Sequence, residues 1–131
     1  MIHAPKNQWR CEKGSSNVGG FAFLPILLVL IFGAIEFGLV VNADQKAHAV
    51  AAAAYNVARY EGSTAADGRR AANELLARYQ MELPSDAVTV TRSATEVRVS
   101  VRARSDSMIP FHDGWKIDQE VSGPTERIIA R

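Results

Sequence analysis

The stretch VGGFAFLPILLVLIFGAIEFGLVV, residues 18–41, is almost wholly apolar, and Glu36 is its only charged residue. A helix of this length rises roughly 36 Å, which is enough to cross a bilayer hydrocarbon core of about 30 Å with modest tilt. A buried helix of a small soluble domain would be shorter and would carry a polar face, which this stretch lacks. We therefore predict a transmembrane helix over residues 18–41.

The charges on either side of this helix indicate its orientation. Three basic residues and one acidic residue precede it and give this leader a net charge of +2, whereas Asp44 and Lys46 beyond it cancel. The positive-inside bias then predicts a cytoplasmic N-terminus and an exported C-terminal domain. The only cysteine, Cys11, falls in the cytoplasmic leader, so the exported part has no disulfide.

Residues 1–17 show no helical or strand period, and we predict an unstructured leader. Two targeting interpretations compete. In one, the leader and the apolar stretch form a secretory signal that is cut after Ala47-His48-Ala49, a small-x-small site. In the other, the apolar stretch stays attached as an anchor. Its length, and the polar residues before that site, favour the anchor.

The segment that begins at Gly14 and continues SSNVGGFAFLPILLVLIFGAIEFG carries features at defined spacings. Pro25 lies eleven residues after Gly14, and the heptapeptide F-G-A-I-E-F-G occupies residues 32–38. By these features the chain resembles the TadE-like minor pseudopilins of tight-adherence (Flp-type) pilus systems. In that family a glycine precedes the prepilin-peptidase cut, and an F-G-x-x-E-F-G signature closes the span. The likeness covers residues 14–62 well and the remainder only in architecture.

The resemblance implies a cut between Gly14 and Ser15 by a prepilin peptidase, and a single-pass protein of a bacterial inner membrane. Its implied partners are other pilins and the pilus assembly machinery, and its implied role is pilus biogenesis and adhesion. One position departs from the family: Gly19 stands where a glutamate is usual. That glutamate is thought to pair with the terminal amine of a neighbouring subunit. Entry of this chain into the filament is therefore left open.

Within the span, several residues have physical properties of their own. Pro25 lacks a backbone donor, so the helix should bend or begin afresh before it. Ala34 and Gly38 form a small-xxx-small pair that lets another helix approach closely. Glu36 lies towards the exported side, and an intramembrane carboxylate indicates contact with a basic group or amine of a partner, the alternative being snorkelling to the headgroups.

Residues 42–61 contain no proline or glycine and are rich in alanine, which predicts that the helix continues as a stalk. One side of this stalk has small apolar residues at spacings of three and four, suited to tight packing. They are Ala43, Ala47, Val50, Ala54 and Val57. The stalk should lie against its own domain or against neighbours.

The exported domain, residues 62–131, begins with a capping-box signal at Thr64 and Asp67, which predicts a second helix that Pro84 stops. From Ala87 the apolar period changes to two, which predicts a hairpin that turns at residues 93–96. A third strand is expected over residues 116–122. Residues 108–115 form a loop whose aromatic side chains should cover the open end of the core. The whole is an α+β, pilin-like fold.

One face of the predicted sheet carries Arg98, Arg102 and Arg104, with Arg92 nearby. This row is a possible binding face for an acidic partner or lipid headgroups, although a charged row is usually the solvated face of a sheet. It supports an alternative function, a bitopic binding or sensor subunit unrelated to pili.

The sequence has no nucleophile motif, phosphate loop or metal-ligand spacing, and His112 beside Asp113 is a weak pair. We expect no enzyme activity, no cofactor, no metal and no small-molecule substrate. The net charge of +1 gives no electrostatic case for nucleic acid binding. We therefore predict a non-enzymatic minor pseudopilin.

Overall fold

The computed structural model describes the backbone of residues 15–129 and the side chains of residues 18–129. The leader, with Gly14 of the expected cut, lies outside the described residues. Two helices precede three strands, and this order confirms the expected α+β, pilin-like arrangement. The elements are α1 (Ser15–Ala58), α2 (Ala65–Arg78), β1 (Val88–Arg92), β2 (Glu96–Arg104) and β3 (Lys116–Pro124).

The first helix, α1, belongs to two compact units that meet between Ile35 and Glu36. In the first unit every side chain from Val18 to Ile35 is exposed, including large apolar groups such as Phe21 and Leu30. The helix includes Pro25 without a break, so it does not begin afresh there. A bend at Pro25 stays a prediction.

In the second unit α1 carries the small apolar side that the sequence predicts. Four of the five predicted residues are buried, namely Ala43, Ala47, Val50 and Ala54, and the fifth, Val57, is half-buried. Two further residues of α1, Ala51 and Ala58, are also buried. Alanine favours helix and has almost no side-chain bulk, so other elements can approach this side closely. The stalk therefore packs against its own domain.

The second helix, α2, begins and ends with backbone caps. Thr64 Oγ1 accepts a hydrogen bond from the Asp67 N–H, and the Thr64 N–H donates to the Asp67 carboxylate, which confirms the capping box. The helix ends at Arg78, before Pro84, so the expected stop was placed too late. The cause is Gln80 (φ 54°), after which the Met81 N–H donates to the Leu76 carbonyl as in a Schellman motif.

Gly68 lets α2 lie directly on the end of α1. A Cβ atom at this position would lie 2.9 Å from the Ala54 carbonyl oxygen and 2.9 Å from the Ala58 Cβ. Real side chains do not tolerate such distances to a backbone atom, so the close contact of the two helices requires glycine here.

The sheet is an antiparallel meander in the order β1-β2-β3. Val90 pairs with Val99 across the first hairpin, and Val99 pairs with Val121 across the second. The period-two pattern is confirmed, since Val97, Val99 and Val101 are fully buried and their neighbours on β2 face outward. β3 extends two residues beyond the expected Ser122 and ends at Pro124.

The core of the second unit lies between the inner face of this sheet and the two helices. Its members are small: alanines of α1 and α2 and valines of the strands, with Leu76 and Ile117 among the larger side chains. Tyr55, Tyr79 and Met81 are half-buried around it. Glu36, the first residue of this unit, is a buried charged residue where the packed part of α1 begins.

Candidate functional site

Glu36, the first residue of the second unit, is 8% exposed. Its carboxylate accepts three hydrogen bonds from its own chain. Ser107 Oγ donates over 2.6 Å and Trp115 Nε1–H over 3.2 Å to Oε1, and the Met108 backbone N–H donates over 3.0 Å to Oε2. Burying a carboxylate is costly unless such donors replace its water. Glu36 is thus satisfied by residues some seventy positions further along the chain.

These donors belong to one segment, residues 105–115, which we term the Glu36 loop. Its two ends are tied together between β2 and β3. The Ser105 N–H donates to the Trp115 carbonyl, and the Trp115 N–H donates to Ser105 Oγ, each over 3.0 Å. Both ends of the loop are thereby fixed, and its middle is held at Glu36.

Gly114 makes the close base of the Glu36 loop possible. Its φ is +82°, a left-handed conformation, and a Cβ atom here would lie 1.8 Å from the Ser105 carbonyl oxygen. Any other residue would have to move the backbone of Ser105. The loop therefore depends on glycine at a position that the sequence analysis treated only as part of a loop.

The apolar side chains of the Glu36 loop face outward. Met108 is 56% exposed, Ile109 47%, Trp115 49%, and Phe111 as exposed as in an extended chain. Our expectation that these aromatics cover the core was wrong. Phe111 has a φ of +63°, which is uncommon and unfavourable for a bulky residue. The loop thus holds an unfavourable backbone conformation at its most exposed apolar residue.

His112, which lies beside Asp113 in the sequence, makes contacts within the Glu36 loop. His112 Nδ1 accepts a hydrogen bond from the Gly114 N–H over 3.1 Å, and its ring lies 4.9 Å from that of Trp115. The histidine therefore has a local role in the shape of the Glu36 loop. Among residues 18–129, no group of three or more His, Cys, Asp or Glu side chains could hold a metal ion.

A second contact joins the same end of the packed α1 to the sheet. Gln119 Nε2 on β3 donates to Asp44 Oδ1 over 2.5 Å. Asp44 lies two helical turns after Glu36, so α1 binds the Glu36 loop and β3 in succession. The start of the packed α1 is thereby bonded to the rest of its unit at two positions, Glu36 and Asp44.

The arginine row lies on the exposed face of the sheet, and two of its three members lie beside acids of the same chain. Arg98 forms ion pairs with Glu96 and Glu120, at 3.3 and 3.2 Å. Arg102 lies 3.8 Å from Asp86 and opposite Asp118 in the strand register. Arg104 lies opposite Lys116. The face therefore mixes both signs of charge.

Arg92 does not belong to this face. Its Nε donates to the Ala58 carbonyl over 2.7 Å and its guanidinium also donates to the Tyr60 carbonyl over 3.0 Å. These carbonyls lie at the C-terminal end of α1, where a cation is favourable. Arg92 thus fixes the end of the long helix to the hairpin.

The predicted residues of the apolar segment are not brought together with the Glu36 loop by any described contact. Pro25, Ala34 and Gly38 are all exposed. Helix packing at Ala34 and Gly38, the cut at Gly14 and Ser15, and pairing of Glu36 with a partner's amine stay predictions. The donors to Glu36 were missed, since no local pattern links residue 36 to residues 107–115.

Comparison with known proteins matches part of the chain to a family. The family model described as TadE-like protein matches residues 23–59, which include the exposed apolar part of α1, Glu36 and the packed part. No curated protein and no solved structure matches the chain.

Proposed function

We propose that this chain, of which residues 23–59 match the TadE-like protein family model, acts in tight-adherence pilus assembly as a non-enzymatic minor pseudopilin. In this proposal the protein sits in the bacterial inner membrane, where it contributes to pilus biogenesis and adhesion. Its partners are other pilins and the assembly machinery. The observation that carries the proposal is that the family match falls on the one long apolar helix.

The exposure of α1 supports an anchor in the membrane. Every side chain from Val18 to Ile35 is exposed, and most are large and apolar. Such a surface is unfavourable in water and favourable in hydrocarbon. The helix is long and apolar enough to cross a membrane. A cytoplasmic N-terminus and an exported second unit then follow from the basic leader.

The surroundings of Ala47-His48-Ala49 support an anchor over a cleaved signal. This tripeptide lies inside α1, and both Ala47 and Val50 are fully buried in the core. A cut after Ala49 would remove Glu36, Ala43 and Ala47 from the packed unit. The cut that fits the proposal is the one between Gly14 and Ser15, which leaves the whole helix attached.

In this proposal Glu36 is the first residue of the exported unit and follows the anchor directly in the chain. Its three donors lie on the Glu36 loop, so the carboxylate holds that loop on the packed part of α1.

The alternative, a bitopic binding subunit that uses its basic sheet face, has weaker support. Arg98 and Arg102 are paired with acids of the same chain, so an acidic partner would have to displace them. No described contact favours this second function.

The experiment is deletion of the gene, with complementation by the wild-type chain and by Gly14→Leu, which blocks a prepilin-type cut. We expect loss of surface pili on deletion, recovery with the wild type, and no recovery with Gly14→Leu. The mass of the wild-type protein from its membrane should correspond to a start at Ser15. Normal piliation in the deletion strain would contradict the proposal.

Ala49→Leu is the matched control, because it alters the competing signal-type site at a half-buried position and leaves Gly14 intact. It should restore pili as the wild type does. A soluble wild-type product that begins at Val50 would show that the apolar stretch is a signal peptide, and would overturn the anchor.

A further inference from the structure

The Glu36 loop carries more exposed apolar surface than its place in the fold explains. Met108, Ile109 and Phe111 follow one another closely and are 56%, 47% and fully exposed. Trp115 is half exposed at the end of the same loop. Soluble surfaces tolerate single apolar residues, whereas a cluster of them marks an interaction site.

The loop that carries this apolar cluster is held in place by hydrogen bonds at its base and to Glu36. Glu36 binds the loop at Ser107, Met108 and Trp115, and Ser105 closes its base against Trp115. Phe111 is held exposed in a left-handed conformation that is unfavourable for its side chain. An arrangement that fixes apolar groups outward lowers the entropy lost when they bind.

The position of the loop along α1 indicates what it meets. Residues 18–35 rise about 27 Å, close to the thickness of a hydrocarbon core of about 30 Å. Glu36 follows directly in the chain, so the loop is bound at the residue that succeeds this length of exposed apolar helix. Phe37, the next residue, is 71% exposed and adds apolar surface at this level.

We propose that the Glu36 loop is a second membrane contact of this chain, with Met108, Ile109 and Phe111 inserted among the lipids of the outer leaflet and the Trp115 indole at the headgroup level. Tryptophan favours this interfacial layer because its ring is apolar and its N–H is polar. The indole N–H donates to Glu36 and so keeps a partner there. This proposal rests on the membrane anchor of the proposed function.

The proposal explains why a carboxylate lies at the end of the span. Glu36 holds the loop from the helix side, and the loop in turn shields the carboxylate from lipid.

The test is fluorescence of the full chain in nanodiscs of phosphatidylcholine and phosphatidylglycerol. The chain has two tryptophans, and Trp9→Phe leaves Trp115 as the only one. We expect discs with brominated phosphatidylcholine to quench the Trp115 emission, because an indole at the interface lies within reach of the lipid. Aqueous iodide should quench it weakly.

Phe111→Asp in the same background should lower the quenching by brominated lipid. Ile128→Asp is the matched control, since Ile128 is also exposed and apolar but lies beside Glu61, near the other end of the packed α1. It should leave the quenching unchanged. Equal losses in both variants would contradict a specific role for the loop.

Two results would overturn the proposal. Insertion of the chain into the discs with Trp115 open to iodide and unaffected by bromine would show that the loop stays in water. Protection from both quenchers would show that a second copy of the chain covers it. Failure of the chain to enter the discs would overturn the membrane anchor itself, and the proposed function with it.

Discussion

The two parts of α1 have opposite kinds of apolar surface, although one helix contains both. Up to Ile35 the side chains are large and exposed on all sides, whereas from Ala43 the buried side is mostly alanine. Large side chains suit a fluid lipid environment that needs no precise fit. Small ones let the sheet and α2 approach the helix closely. Apolar sequence therefore has different meanings in the two parts, and side-chain size separates them.

An alanine-to-leucine substitution should destabilise the second unit when it is made in the packed part of α1, and leave that unit's stability unchanged when it is made in the exposed part. Ala54 is fully buried, and Ala54→Leu adds volume where nothing can yield, so we expect the second unit to lose about 1–3 kcal/mol of unfolding free energy. Circular dichroism of the purified protein in detergent during chemical unfolding measures this.

Ala34→Leu is the matched control, because Ala34 lies in the same helix but is exposed. It should leave the unfolding of the second unit unchanged and weaken association with another helix through the Ala34 and Gly38 pair, measured by crosslinking in membranes. An equal loss of stability in both variants would show that the two parts do not differ as we describe.

Glu36→Ala should release the Glu36 loop from α1. The variant leaves the Met108 N–H and the Trp115 indole N–H without their acceptor. We expect hydrogen exchange at the Met108 amide to accelerate by on the order of tenfold. Glu36→Gln keeps an acceptor oxygen and should accelerate it less. Unchanged exchange in Glu36→Ala would mean that the loop is held by its base alone.

Thr64→Ala removes the side-chain cap of α2, far from Glu36 in the chain. The lost acceptor for the Asp67 N–H should cost about 1 kcal/mol of unfolding free energy. Thr64→Ser keeps the oxygen and serves as the control. A similar loss for both would point to the Thr64 methyl group and not to the cap.

The smallest effect concerns pH. Hydrogen bonds from the Thr64 N–H and hydroxyl, with Arg70 nearby, lower the pKa of Asp67. A carboxyl whose pKa is lower when folded stabilises above its unfolded value of about 3.9, and this stabilisation is lost as pH falls through the folded pKa. Asp67→Asn should therefore flatten the decline of stability below about pH 4. If the stability of Asp67→Asn declines with pH as steeply as that of the wild type, other carboxyl groups cause the decline.

The pattern of the sequence was sufficient for elements that depend on neighbours in the chain. Alternation of valine and polar residues gave the correct faces of β2, and Thr64 with Asp67 gave the correct start of α2. The end of α2 was missed because Gln80 takes a left-handed conformation that glycine or asparagine would have indicated, and Pro84 was the more visible signal.

The candidate site depended on distant contacts and could be predicted only in part. As the only charge in the apolar stretch, Glu36 was singled out by the sequence, but its donors at Ser107, Met108 and Trp115 lie in a loop with no periodic pattern. Likewise, a row of arginines suggested a basic face, and only the pairing of β3 reveals that Glu120 lies beside Arg98 and Asp118 opposite Arg102.

The most direct measurement is labelling of single cysteines in intact cells with a maleimide that does not cross membranes, in a Cys11→Ser background. Leu30→Cys and His48→Cys place the probe at exposed positions on the two parts of α1. The outer membrane is permeabilised before labelling. If the part of the helix before Glu36 lies in lipid and the part after it is exported, His48→Cys is labelled and Leu30→Cys is not. Labelling of both would contradict the membrane anchor, and labelling of neither would contradict the export of the second unit.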